Sequence, residues 1–298
     1  MYRVAKRPGI RYASRTATMH FYDAHNHLQD ERLASRRADI LQAVAQAGVR
    51  RMVVNGSCEE DWPQVLGLAR EFPEVLPSFG YHPWYVRERT PDWQQALVRH
   101  LEAIPSAVGE IGLDRWIKDY DLPEQEAVFV WQLRLASERD LPVSIHCLQA
   151  WGRMLELLQA GPRPRCGFLL HSYGGPPEMI PALAKLGAYF SLPGYFAHER
   201  KVRQRETFLQ VPPDRLLIET DAPDQCLPDT RNRHPLFDAV TGRPINHPAN
   251  IVAVYEFAAE LLKEPIESLA GRVGENFLRL FGDLPDGRGL PARTEVTS

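Results

Sequence analysis

Cysteine is scarce in this chain of 298 residues: Cys58, Cys147, Cys166 and Cys226 stand far apart, and no two form a CxxC pair. That pattern excludes a disulfide framework or a zinc knuckle and reads as free thiols in a reducing, cytoplasmic compartment. No apolar run approaches the roughly 20 residues needed to cross a bilayer, so the sequence offers no membrane span. No GxGxxG follows any strand-like run, which removes the usual mark of a dinucleotide-binding doubly wound sheet. Internal repeats, low-complexity blocks and an interdomain linker are missing as well.

Acid is absent from residues 1–19, where Arg3, Lys6, Arg7, Arg11 and Arg15 give +5. The whole chain carries −3, which leaves −8 on the remainder. An acidic body argues against a broad nucleic-acid-binding face, though not against a local basic rim. Residues 1–18 read as a flexible basic extension or an upstream start before Met19, in preference to a targeting peptide. The final stretch 283–298, rich in Gly and Pro, reads as a flexible tail. Residues 19–282 are then one domain, a length that suits a single α/β barrel of about 250 residues.

After Met19, short apolar runs alternate with longer amphipathic stretches. The runs are Phe21–His25, Arg51–Asn55, Val75–Tyr81, Ala107–Ile111, Pro142–His146, Gly167–His171, Ala188–Leu192 and Arg215–Glu219. Between them, Leu33–Ala47 places Ile40, Leu41, Val44 and Ala47 at helical spacing, and Pro123 with Glu124 suits the first turn of another helix. Eight strands, each followed by a helix or loop, predict a (β/α)8 TIM barrel, with two closing helices over Ala249–Leu262 and Ile266–Leu280. An open doubly wound sheet is the competing architecture.

The polar residues at the strand ends carry the chemistry. His25 and His27 flank Asn26, and on a strand residues i and i+2 project to the same side, as two ligands of one metal must. Glu110, His146, His171 and Asp221 end four further strands. In barrels such ends converge at one mouth. Singly, each has a bland reading: His146 and His171 as core histidines, Glu110 as a loop acid, Asp221 as a turn cap. Together, four imidazoles and two carboxylates supply donors for two divalent cations bridged by a carboxylate.

The stretches YDAHNHL, GYHPW, VGEIGLD, PVSIHC, LLHSYGG and IETDAP resemble, in order, the motifs of the TatD family of metal-dependent deoxyribonucleases, TIM barrels of the metallo-dependent hydrolase superfamily. The similarity runs from about Met19 to Phe281. It implies that His25 and His27 hold one metal, that His146 and His171 hold the other, that Glu110 bridges and that Asp221 completes the site. A water acidified between two such cations becomes the nucleophile, with Asp221 orienting it, accepting its proton and passing that proton to the leaving oxygen. By the same resemblance His82 meets the substrate, donating to a phosphate oxygen or protonating a leaving group. Trp84 and Trp116 are candidates for base stacking. Four imidazoles suit zinc, manganese or iron better than magnesium, whereas the family resemblance also admits magnesium.

Two departures lie on the substrate side. Where the family commonly has an HxRDA pattern, this chain has His146-Cys147-Leu148-Gln149-Ala150, and Leu148 cannot replace an arginine on a phosphate. After the fourth strand, Arg115-Trp116 stand where tyrosines are more usual, and Arg115 is the expected replacement for the lost charge. The resulting expectation is phosphodiester hydrolysis of DNA, 3'-5' exonuclease-like, by a monomer or weak homo-oligomer. Hydrolysis of a small ester, lactone or amide at the same two-metal site is the alternative, and a non-enzymatic metal-binding scaffold is the weakest reading.

Overall fold

In the computed structural model, residues 19–282 are described; the expected basic extension and tail lie outside the described residues. Strands β1 (Phe21–Asn26), β2 (Val49–Gly56), β3 (Val75–Phe79) and β4 (Ala107–Asp114) are followed by β5 (Val143–Leu148), β6 (Phe168–Leu170), β7 (Ala188–Pro193) and β8 (Leu216–Glu219). All pair in parallel, each with its sequence neighbour. The ring closes where Asp221 N–H donates to the His25 carbonyl at 2.9 Å and His27 N–H donates to that of Ala222 at 2.7 Å. A doubly wound sheet would reverse its strand order midway; here the order is consecutive and the ends meet, which makes the fold a (β/α)8 TIM barrel.

The connecting helices are α1 (Glu31–Ala34), α2 (Arg37–Gln46), α3 (Trp62–Glu71), α4 (Trp93–Ala103), α5 (Leu122–Arg139), α6 (Trp151–Ala160), α7 (Ile180–Lys185) and α8 (Val202–Phe208). Helices α9 (Ile251–Leu262) and α10 (Ile266–Phe281) close the chain. Helix α5 begins as its sequence suggests: Asp121 caps it by accepting from Glu124 N–H at 3.1 Å, with Pro123 in the first turn. The single helix expected over Leu33–Ala47 is instead split at Ser35-Arg36. The break lets the Arg37 guanidinium turn back onto the carbonyls of Leu28 (3.1 Å) and Gln29 (2.9 Å), which fixes the loop leaving β1. Helix α10 buries Leu269, Val273, Phe277 and Leu280 along one stripe. Its Asn276 Nδ2 donates to the carbonyls of Leu216 and Pro213, both at 2.9 Å, and so anchors the start of β8.

Both faces of the strands are buried, and alternation decides which chemistry faces inward. Asp23, His25 and His27 share one side of the first strand and its extension, as do Ser144 and His146 on β5. Glu219 ends β8, and Asp221, just beyond it at φ +52°, turns its carboxylate toward His25 and His27. Apolar residues of opposite parity, such as Ala24, Val143 and Ile145, are fully buried on the outer side. Two glycines let β4 and β5 approach: a Cβ on Gly109 would stand 2.8 Å from Ser144 atoms, and one on Gly112 only 1.9 Å from the His146 carbonyl oxygen. Glu110 lies between them. A short hairpin, β9 (Leu236–Phe237) with β10 (Pro244–Ile245), sits in the long β8–α9 connection and has no counterpart in the sequence expectations.

Candidate active site

The mouth of the barrel opens into a cleft of about 680 Å³ whose wall includes His27, His82, Glu110, His146, His171 and Asp221. His25 lies beneath it, fully buried. Glu110 is the pivot. Its Oε2 faces His25 Nε2 at 3.4 Å and His27 Nε2 at 3.3 Å, while its Oε1 faces His171 Nε2 at 2.8 Å and His146 Nδ1 at 3.1 Å. Asp221 Oδ1 stands 3.7 Å from His25 Nε2 and 3.6 Å from His27 Nε2, and those two nitrogens are 3.2 Å apart. Ligands about 2.0–2.1 Å from a tetrahedral zinc ion are about 3.3 Å from one another. The donor set therefore fits a transition metal in both chemistry and spacing. Of the three side-chain groups able to hold an ion among the described residues, two contain Glu110 and the third joins His25, His171 and Asp221.

The imidazoles are steered from behind. His27 Nδ1 meets the Asn55 carbonyl at 2.8 Å, so it carries the proton and leaves the Nε2 lone pair free. His25 Nδ1 meets Ser144 Oγ at 2.8 Å, and His146 Nε2 meets Asp114 Oδ2 at 2.9 Å. Asp114 is itself held by the Trp84 indole N–H (2.7 Å) and the backbone N–H of Trp116 (2.6 Å). None of Asn55, Asp114 and Ser144 was singled out from the sequence as a site residue. Ser144 carried a signal, two residues before His146 on the same strand face. Asp114 ends the VGEIGLD stretch, yet only the tertiary fold pairs it with His146.

Charge in the metal-free cluster is balanced by protons. Burial raises the Glu110 pKa, but His171, His82 and His25 around it hold it well below the carboxylate range. Burial opposes a charge on His27, yet the Glu110 hydrogen bond and charge, with Asp221, lift its pKa to about 10. Against the same burial, bonds to Asp114 and Glu110 lift His146 to about 9. Burial pushes His25 well below its ordinary value and His82 down to about 4. Burial drives Asp221 up to about 7, moderated by His171 and His27.

The substrate-side expectations meet a different geometry. His82 is buried, its Nε2 3.5 Å from Glu110 Oε1 and its ring 4.5 Å from that of His146, so it adjoins the cluster directly. Trp84 lines the cleft and is 53% exposed. Arg115 is not among the lining residues; its guanidinium lies over the Tyr120 ring at 5.7 Å, and Nε donates to that phenol at 3.3 Å. A nearby aromatic partner on the same loop holds its guanidinium. The guanidinium that does line the cleft is Arg32, clamped by Asp30 and Asp224 at 2.7–2.9 Å. Asp30, Glu31, Glu60, Asp61 and Asp224 make the remaining wall acidic.

Comparison with known proteins agrees with this geometry. The profile of the TatD-related DNases matches residues 22–282. The chain is 32% identical to the 3'-5' ssDNA/RNA exonuclease TatD of Escherichia fergusonii, over 88% of this chain and 98% of the relative. It is 29% identical to an uncharacterized metal-dependent hydrolase, YjjV of Escherichia coli K12, over 88% of this chain and 97% of that one. The crystal structure of that YjjV protein, a TatD homologue, superposes with a TM-score of 0.78. A TatD-family hydrolase from Entamoeba histolytica, 18% identical with a TM-score of 0.76, shares the fold. A histidine and carboxylate cluster at the C-terminal end of a parallel barrel, together with a profile match over nearly every described residue, makes the chain a member of the TatD-related DNase family of metal-dependent hydrolases.

Proposed function

We propose that the cluster holds two divalent cations and hydrolyses phosphodiester bonds at the ends of nucleic-acid strands, in the manner of a 3'-5' exonuclease. His25 and His27 hold one cation, His146 and His171 the other, Glu110 bridges them and Asp221 completes the site; zinc, manganese or magnesium are the candidates. The observation that carries this reading is the division of Glu110, with one oxygen toward each pair of imidazoles. The exonuclease names of relatives such as that of Escherichia fergusonii support the substrate class. Bound there, the cations supply Lewis-acid polarisation of a phosphoryl oxygen and lower the pKa of water toward neutrality.

The chain's own residues do the rest. Asp221 Oδ1, facing the cluster, accepts the proton of the attacking water and returns it to the leaving oxygen. His82, neutral at pH 7, hydrogen-bonds the phosphoryl group beside Glu110. Trp84 offers an exposed indole for a terminal base.

A second reading, cleavage of a small ester, lactone or amide, draws on the acidic wall and on Leu148, which lines the cleft where an arginine would favour a phosphate. One experiment separates them. Purified protein is incubated with a labelled single-stranded oligonucleotide and, separately, with 4-nitrophenyl acetate, each with Mg²⁺, Mn²⁺ or Zn²⁺. Release of mononucleotides that is lost with chelator and with His171→Ala supports the nuclease. Turnover of the neutral ester alone overturns it in favour of the second reading.

A further inference from the structure

We infer that Gln225 is the positioning residue of Asp221, an assignment that rests on the reading of Asp221 as proton acceptor and metal ligand. Gln225 lies in the turn after β8, four residues beyond Asp221, and lines the cleft. Its Nε2 donates both to Asp221 Oδ2 and to Ser172 Oγ. Those two acceptors use both hydrogens of the amide.

The direction of these bonds follows from the next partner. Glu219 Oε1 accepts the backbone N–H of Ser172 at 2.8 Å and lies 2.5 Å from Ser172 Oγ. Ser172 Oγ donates its single hydroxyl hydrogen to Glu219 Oε1. Ser172 Oγ then has only lone pairs to offer, and it accepts from Gln225. The reversed amide would turn its carbonyl oxygen toward both the Asp221 carboxylate and those lone pairs. In the observed orientation Gln225 donates to both acceptors.

The backbone holds the side chain there. Gln225 has φ +49°, which a non-glycine residue adopts where its surroundings hold it. Asn246 Nδ2 donates to the Thr220 carbonyl at 2.8 Å and to that of Gln225 at 3.4 Å, and Asp224 N–H donates to the Asp221 carbonyl at 2.8 Å. Arg32 clamps Asp224 from across the mouth. With Oδ2 occupied by the amide, the carboxylate plane is set and Oδ1 faces the nitrogens of His25 and His27. Without that donor the carboxylate turns freely about its Cβ–Cγ bond and presents Oδ1 for only part of the time.

The test is Gln225→Met, which keeps the length and loses the donor, beside Gln225→Glu, which keeps the shape and donates nothing when ionised. Zn²⁺ binding to metal-free protein is measured by calorimetry, kcat and KM at saturating metal, and stability by urea unfolding. A charge-assisted hydrogen bond of ordinary strength corresponds to about a 10- to 100-fold effect. Both variants are expected to bind Zn²⁺ about tenfold more weakly and to lose about 10- to 100-fold in kcat, with KM within about twofold and the urea midpoint unchanged. Unaltered Zn²⁺ affinity and kcat, or a loss of stability with both intact, overturns the assignment. The Zn²⁺ arm needs no substrate, so it still reports on Gln225 if the nuclease reading fails.

Discussion

Glu110 Oε2 faces His25 and His27 while Oε1 faces His146, His171 and His82, so the isosteric Glu110→Gln exchange removes one negative charge from both halves of the site at once. If the cluster holds two cations as proposed, metal content measured by atomic emission is expected to fall to one equivalent or fewer, and kcat by about 1000-fold, the scale of losing a principal electrostatic contact at a reacting centre. Asp114→Asn acts at one remove, through His146. Losing such an outer partner lowers metal affinity or activity by about 10- to 100-fold, which a chelator competition assay will read. Protons supply a third test. At pH 7 the metal-free protein keeps His27, at about 10, and His146, at about 9, protonated, and both rings must give up a proton to accept a metal. Metal affinity therefore rises with pH up to these values and falls below them, and calorimetry in buffers of different ionisation heat will show up to two protons released from these rings when both cations bind.

Strands set the distances that these side chains need. Gly112 faces the His146 backbone across the β4–β5 pair, and any side chain there meets the His146 carbonyl at 1.9 Å. Gly112→Ala must part the strands, at a cost of about 1–3 kcal/mol for overpacking a buried site, with metal affinity lost alongside stability. Unchanged urea unfolding would show that the strands yield without consequence. The i, i+2 spacing of His25 and His27 was readable from the sequence because strand alternation is local. The split between α1 and α2 was not readable, because the carbonyls that hold the Arg37 guanidinium at the start of α2 belong to a loop whose position depends on the barrel. Arg115 shows the same division: its charge is a property of the residue, but its direction belongs to the loop and to Tyr120.

For the molecule as a whole, the cleft wall outside the cluster is acidic, and its guanidinium, Arg32, is already held by two carboxylates. A polyanion is repelled by that rim, whereas the end of a strand or a small neutral ester presents less charge to it. The number of phosphates neutralised by protein sets the slope of log K against log salt. The expected slope for oligonucleotide binding is about −1, and a slope several times steeper would mean that a basic surface elsewhere contributes. The alternation of eight apolar runs with amphipathic stretches, the identity of the six polar residues ending those strands and the order of the family motifs were all determined by the sequence, because periodicity and residue chemistry are local properties. Which of those groups touch, that Glu110 turns one oxygen toward each histidine pair, that Asp114 and Gln225 hydrogen-bond His146 and Asp221 and that Arg32 lines the cleft were decided by the tertiary structure. Those facts depend on closing a ring of strands from residues up to about two hundred positions apart, and no local pattern encodes the direction of a side chain across it.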